Sequence, residues 1–378
     1  MHPPILVLAL CFVFSLTVPV LADSRITAPS NLLVASYPQA QTNTLRFERI
    51  SLEDGLSQGT INAIWQDTQG YMWFGTEDGL NKYDGIQFMV YKHDPEDPFT
   101  LSDSYISAIY EDKNGVLWVG TRSGLNRFDR TAGIFTHFQH DPDDPNSLGG
   151  TWVTAIHEDL EGRFWIGTIA GLDLLDRDTD NFTHYPHDPD DPSTLADDFV
   201  RVIYETSDGA LWVGTNSGLD LFDPTNGSFI HYQYNPRDLR SLSDDQVTAI
   251  LEDQEGYLWV GTDAGGLNQF NRASNTFVRY QHDAEDSHSL SHNRVRAILE
   301  DNTGRLWIGT QNGLDQLDRT RNRFIHYHHD PGDLFSLSSN TIWSIFEDRS
   351  GVIWFGTYGG GLNKYNRSTD QFILYQHK

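Results

Sequence analysis

The chain has 378 residues, with 26 Lys and Arg against 53 Asp and Glu, a formal net charge of −27 at pH 7. That balance argues against nucleic acid as a partner, which needs clustered cations, and disfavours adhesion to an anionic membrane. The single cysteine, Cys11, falls in an apolar leader, so the rest of the chain has neither a disulfide framework nor a cysteine-based metal site.

Residues 5–21 form an uncharged apolar run, and Val20 and Ala22 stand where a signal peptidase reads small residues, before Asp23. The expected organisation is a signal peptide over 1–22, a polar linker over 23–44 and a repeat region over 45–378. Cleavage would place the protein in the periplasm or otherwise outside the cytoplasm. An uncleaved anchor is the alternative for the first run, although it is short for a span and Pro19 interrupts it.

From there one phrase returns seven times. It begins as Trp73-Phe74-Gly75-Thr76 and recurs with Trp118, Trp165, Trp212, Trp259, Trp307 and Trp354, at steps of 45 to 48 residues. A strand-rich unit with a period in the forties is the signature of a propeller blade. Within residues 243–290 the expected strands are Val247–Leu251, Tyr257–Gly261, Leu267–Phe270 and Phe277–Tyr280, separated by turns that end at Gly256 and Gly266. The predicted fold is all-β: a seven-bladed β-propeller with four-stranded antiparallel blades of about 47 residues. Each repeated Trp should fill the gap between blades and donate its indole N–H to a carbonyl of the neighbouring blade. Gly261 and its six equivalents should sit where adjacent backbones approach closely. Two segments compete for the last outer strand, Leu45–Ile50 and Phe372–Tyr375, and the N-terminal one is expected to close the ring.

The phrase Glu-Asp-x-x-Gly-x-Leu-Trp-x-Gly-Thr-x-x-Gly-Leu-Asn-x-Phe-Asp at 111–129, with His-Asp-Pro-Asp-Asp-Pro-x-Ser-Leu at 140–148, resembles the two-component regulator propeller repeat. The resemblance extends over roughly 45–378. Members of that family are typically the extracytoplasmic sensor part of bacterial hybrid two-component proteins, many of which detect carbohydrate fragments. It therefore implies ligand sensing outside the cytoplasm, with a membrane sensor kinase as partner. A typical member has two propellers, a β-sandwich, a membrane helix and a kinase. The sequence offers neither a membrane span after the repeats nor an ATP-binding segment, so the expectation is a free-standing propeller or a truncated sensor that does not itself phosphorylate.

Several motifs suggest chemistry and are better read as parts of the repeat. Gly55-Leu56-Ser57-Gln58-Gly59 spells a nucleophile elbow, but a strand-forming segment follows it instead of a helix, and the serine recurs as Ser102, Ser243, Ser291 and Ser338. The pairs His93-Asp94, His140-Asp141, His187-Asp188, His282-Asp283 and His329-Asp330 belong to different blades and do not converge as metal ligands. The acidic loops 141–145 and 188–192 have oxygens suited to calcium, but also ordinary turn and capping chemistry. Arg130, Arg177, Arg272 and Arg319 fall in the turn after the third strand, away from a shared centre. No catalytic residue, cofactor or metal is expected.

Function on a repeat scaffold is sought where the units differ. The variable positions lie just before the innermost strand and just after Gly-Thr. Tyr105, Trp152, Phe199 and Tyr358 offer flat faces for a sugar ring, and Arg122, Asn216, Arg294 and Gln311 offer hydrogen-bond donors. The resulting expectation is an extracytoplasmic sensor propeller for a small molecule or oligosaccharide. The alternatives are a glycan lyase or hydrolase, with Asp197-Asp198 and Asp244-Asp245 as the nearest carboxylates, and a protein–protein platform.

Overall fold

The structure, a computed structural model, describes residues 45–367. The leader, the linker and the Phe372–Tyr375 segment lie outside the described residues. Seven four-stranded antiparallel sheets follow one another around a closed ring, in which the innermost strand of each blade abuts that of the next and Ile61–Gln66 meets Ile342–Glu347. In the fifth blade the strands are Val247–Glu252, Leu258–Thr262, Leu267–Asn271 and Thr276–Tyr280, within one residue of those expected.

The ring closes with the N-terminal strand. Glu48–Ile50 pairs antiparallel with Leu362–Tyr365 as the outer strand of the seventh blade. Phe47 packs edge-on against Phe355 and Tyr327, with centroids 5.7 and 6.4 Å apart. Arg49 donates to the carbonyls of Asp333, Ser336 and Leu337, tying the first strand to the preceding loop.

Every Trp-x-Gly-Thr strand is buried along its whole length, because both faces of each sheet meet another blade. The glycine there is a packing requirement. A Cβ on Gly261 would lie 2.6 Å from Val295 Cγ1 of the next blade, so the close approach is to a side chain.

The indole partner differs from the expectation. Six of the seven repeated tryptophans donate to an aspartate six residues earlier in their own blade, at 2.7–3.0 Å, and not to a neighbouring carbonyl. The geometry explains why. The aspartate opens the turn between the first two strands, and its other oxygen already accepts backbone N–H groups there, as Asp253 Oδ1 does from Glu255 and Tyr257. The second oxygen is thereby aimed inward. In the fourth blade Thr206 occupies this position, and the buried Trp212 N–H has no partner.

Charge then joins the blades. Glu111, Glu158, Glu205, Glu252, Glu300, Glu347 and Gln66 each accept a backbone N–H from the turn of the preceding blade at 2.6–2.8 Å, a closed ring of seven bonds. The arginines after the third strand straddle the same seams. Arg130, Arg177 and Arg319 place Nη1 2.6–3.1 Å from the turn aspartate of the preceding blade and Nη2 2.6–2.9 Å from the glutamate of their own. Pro224 stands in this position in the fourth blade, and there Arg163 of the third blade covers Asp159 at 2.6 Å.

The third strand carries a buried Asn or Asp that pins the loop before the innermost strand. Asn126 Oδ1 accepts from Ser102 N at 2.8 Å, and Asp220 Oδ2 from Ala196 N at 3.0 Å. Where this residue is Asp173, Asp220 or Asp315, the outer strand supplies His184, His231 or His326, with Nδ1 2.6–2.7 Å from the carboxylate. The hydrogen bond to Asp220 holds the His231 imidazole above its usual pKa, and that to Asp315 does the same for His326. A raised folded-state value means that this stabilisation is complete below about pH 6.5 and is lost as pH rises through the folded pKa. The stability gap between the wild type and His231→Gln should therefore narrow from about pH 6 to about pH 8.5. Urea melts at both pH values test this, and a gap independent of pH would refute it.

Candidate functional site

Each innermost strand contains a register shift near its second residue, seven in all. Such a bulge re-aims one side chain without ending the strand. The seven residues at this position are Asn62, Ser107, Thr154, Arg201, Thr248, Arg296 and Trp343, and all of them line one cavity of about 300 Å³ on the ring axis. Tyr105, Trp152 and Phe199 complete the wall.

At four positions a short polar side chain turns back to the next strand. Asn62 Nδ2 donates to Ile106 O at 2.8 Å and Thr248 Oγ1 to Val295 O at 2.8 Å; Ser107 and Thr154 bond Val153 O and Val200 O. In the seventh blade, where Trp343 takes the bulge, Ser344 makes the equivalent bond to Ile61 O at 3.0 Å. The exceptions to the pattern are Arg201, Arg296 and Trp343, and these three give the cavity its chemical asymmetry.

The residues expected from the sequence fall into two groups. Tyr105, Trp152 and Phe199 face the cavity as an aromatic arc, meeting edge to face with centroids 6.0 and 5.9 Å apart. The other five stand behind the lining. The Arg122 guanidinium lies 3.7 Å from the Tyr105 ring centre and 5.0 Å from that of Trp152, so the Tyr105 face is already covered. Asn216 Oδ1 accepts from Arg201 Nε at 2.6 Å. Arg294 donates to Gln311 at 3.0 Å and pairs with Asp263 at 3.1 Å, and Asp263 also reaches Arg296 at 3.0 Å. Tyr358, largely exposed, packs on Trp343 at 5.7 Å.

Sequence reasoning missed the bulge residues themselves. Their signal was variation at one position between a constant Ile or Val and a small residue, Ala in five of the seven units. Three buried polar atoms in the lining have no partner: Asn62 Oδ1, Trp152 Nε1 and Arg296 Nε. Burial pushes the Tyr105 hydroxyl pKa up and pulls those of the Arg201 and Arg296 guanidinium groups down.

The remaining candidates hold loops together. Asp197 accepts from Phe199 N and Ser217 Oγ, Asp198 from His187 N, Asp244 from Ala264 N and Asp245 from Tyr234 N. Ser57 Oγ lies 2.9 Å from Thr76 Oγ1. His93, His140, His187, His282 and His329 each place Nδ1 2.6–2.8 Å from the leucine carbonyl eight residues on. Carboxylates of the acidic loops accept N–H groups of their own turns, as Asp141 does from Asp143. Among the described residues no cluster of three or more metal-ligating side chains occurs.

Residues 100–123, 194–217, 241–264, 289–312 and 336–359 match the family model of the two component regulator propeller. The extracellular domain of a hybrid two component system from B. thetaiotaomicron superposes with a TM-score of 0.74 at 30% identity, covering 85% of this chain and 42% of that one. A second such domain from B. thetaiotaomicron gives 0.69 at 26% identity, over 85% and 40%. The chain thus spans less than half the length of either domain. Over 64 residues it is 44% identical to histidine kinase P4 of Formosa agariphila, which is 17% of this chain and 5% of the kinase. Virginiamycin B lyase from Staphylococcus aureus shares the fold alone, with a TM-score of 0.61 at 16% identity over 85% of this chain and 98% of the lyase. The chain is a seven-bladed propeller in which five stretches match the two component regulator propeller, and it is similar to the extracellular domains of hybrid two-component systems.

Proposed function

We propose that this propeller is the extracytoplasmic, non-catalytic sensing part of a two-component system, exported by its leader, and that a small molecule or oligosaccharide binds in the axial cavity. The observation that carries this reading is the cavity itself. Seven equivalent bulges present seven side chains to one space, and the frame is constant while the lining is not. A volume of about 300 Å³ accommodates a molecule of sugar size. The lining has aromatic walls and hydrogen-bonding groups but neither carboxylate nor imidazole, which favours binding over acid–base catalysis on a glycan. A membrane sensor kinase would receive the signal.

Trp152 is the residue to test, because it lies mid-arc with a free indole N–H. In a calorimetric screen of plant and microbial oligosaccharides, Trp152→Ala should weaken any hit by about 1 kcal/mol or more. Its melting temperature should stay within a few degrees of wild type, since Trp152 lies outside the seven repeated packing positions. Full retention of binding in Trp152→Ala would remove the cavity from consideration.

A further inference from the structure

Two of the seven bulge positions are arginine, and they flank the same blade. Arg201 belongs to the fourth blade and Arg296 to the sixth, with the short Thr248 of the fifth between them. An arginine taken from water needs a partner for its five donors. Arg201 spends only Nε, on Asn216, and its two Nη groups make no hydrogen bond or ion pair among the described residues. Arg296 reaches Asp263 through Nη1, and its Nε is buried without a partner. Asp263 is shared with Arg294, so one carboxylate faces two guanidinium groups at contact distance. Asp263, Asp197 and Asp244 act on Arg201 electrostatically, but none of them forms a hydrogen bond or ion pair with it among the described residues. The axial cavity thus holds two guanidinium groups with N–H donors left over, in a chain of net charge −27.

From this geometry we infer that the ligand of the axial cavity carries an oxyanion, a carboxylate or a sulfate, seated between Arg201 and Arg296. The inference rests on the reading of the cavity as the ligand site and names the ligand's class: an acidic sugar or a molecule of that size. Guanidinium groups present paired N–H donors that match two oxygens of such an anion. Across the cavity Asn62, Ser107 and Thr154 contribute polar side chains to the lining. Trp152 and Trp343 also line the space, and the Arg296 guanidinium lies 4.7 Å from the Trp343 ring centre.

The test is titration of the protein with D-glucuronate, D-glucose 6-sulfate and D-glucose, and with acidic and neutral oligosaccharides, at low and high salt. An acidic probe should bind at least about tenfold more tightly than its neutral counterpart, and more weakly as salt rises. The carboxylate and sulfate arms identify which anion the site takes. Arg201→Met and Arg296→Met should each cost roughly tenfold or more with the acidic probe. Arg201→Met should change the melting temperature of the unliganded protein little, since the half-buried guanidinium makes a single hydrogen bond, to Asn216. A fall of more than about 4 °C would instead make Arg201 a structural residue and overturn the inference. Neutral sugars binding with Trp152-dependence, while acidic ones bind no better, would overturn the anion and leave the cavity as the ligand site. Binding of neither class would overturn both.

Discussion

Trp259→Ala should destabilise the protein by about 3–5 kcal/mol, the range for a large aromatic side chain removed from a core. Trp259 is buried among Leu290, Val295, Leu306 and Ile308 at the seam between the fifth and sixth blades, so the cavity would open between two sheets with little room to collapse. The phenylalanine variants are more informative about mechanism. Trp259→Phe keeps most of the ring volume but removes the 2.7 Å bond to Asp253 Oδ2, which should add about 1.5–3 kcal/mol of loss for a hydrogen bond to a charged group. Trp212→Phe removes a donor that already lacks a partner, so it should cost only the lost volume. Denaturant melts of the two phenylalanine variants decide the matter. Equal losses would mean that the aspartate–indole bond contributes nothing beyond packing.

That bond shows what the sequence made visible and what was overlooked. The blade frame was readable because a buried Trp, a close-packed Gly and the turn residues recur at fixed offsets, and the strands of residues 243–290 fall within one residue of expectation. The indole partner was sought across the seam, where a neighbouring backbone would be. The true acceptor was a repeated letter: an Asp six residues before six of the tryptophans, replaced at Thr206 alone. The seam arginines were likewise seen as a repeated turn residue, but their reach into the preceding blade depends on blade packing, which a single unit does not reveal.

On the outer strands the residue opposite the buried Asn or Asp varies: His184, His231 and His326 face aspartates, His137 faces Asn126, Arg279 and Arg49 face Asn268 and Asn363, and Val90 faces Asn81. Arg49 and Arg279 each donate to the carbonyls of the same loop, Ser336 and Leu337 for one, Ser241 and Leu242 for the other. At the equivalent place the competing segment has Leu374, and the first blade's Val90 shows that an apolar residue also fits there. The axial lining was less accessible. Variation was sought in the loops just before the innermost strand, which gave Tyr105, Trp152, Phe199 and Arg294, whereas the bulge lies inside the strand and turns Arg201 and Arg296, two residues after Phe199 and Arg294, into the cavity.

Arg319→Ala should cost about 3–5 kcal/mol, comparable to losing a core tryptophan, although the residue sits near the surface. Its Nη1 lies 2.7 Å from Asp253 Oδ2 and its Nη2 2.9 Å from Glu300 Oε1, and both carboxylates are nearly inaccessible, with side-chain exposures of 0% and 6%. Removing the guanidinium leaves two buried negative charges facing each other across a blade seam, where water reaches neither well. Arg272 supplies the control, because it makes the same kind of bridge under different solvation. With Thr206 in the turn position, its Nη1 pairs with Asp208 at 2.5 Å, and Asp208 is 56% exposed. Only Glu252, at 2.8 Å and 9% exposed, would be stranded by Arg272→Ala. Exposed pairs contribute about 0–1 kcal/mol, so Arg272→Ala should cost clearly less than Arg319→Ala, although the stranded Glu252 keeps the loss above zero. Melting both variants in urea at neutral pH makes the comparison. A smaller loss in Arg319→Ala than in Arg272→Ala would show that the seam arginines act through packing of their stems and not through the carboxylates they bridge.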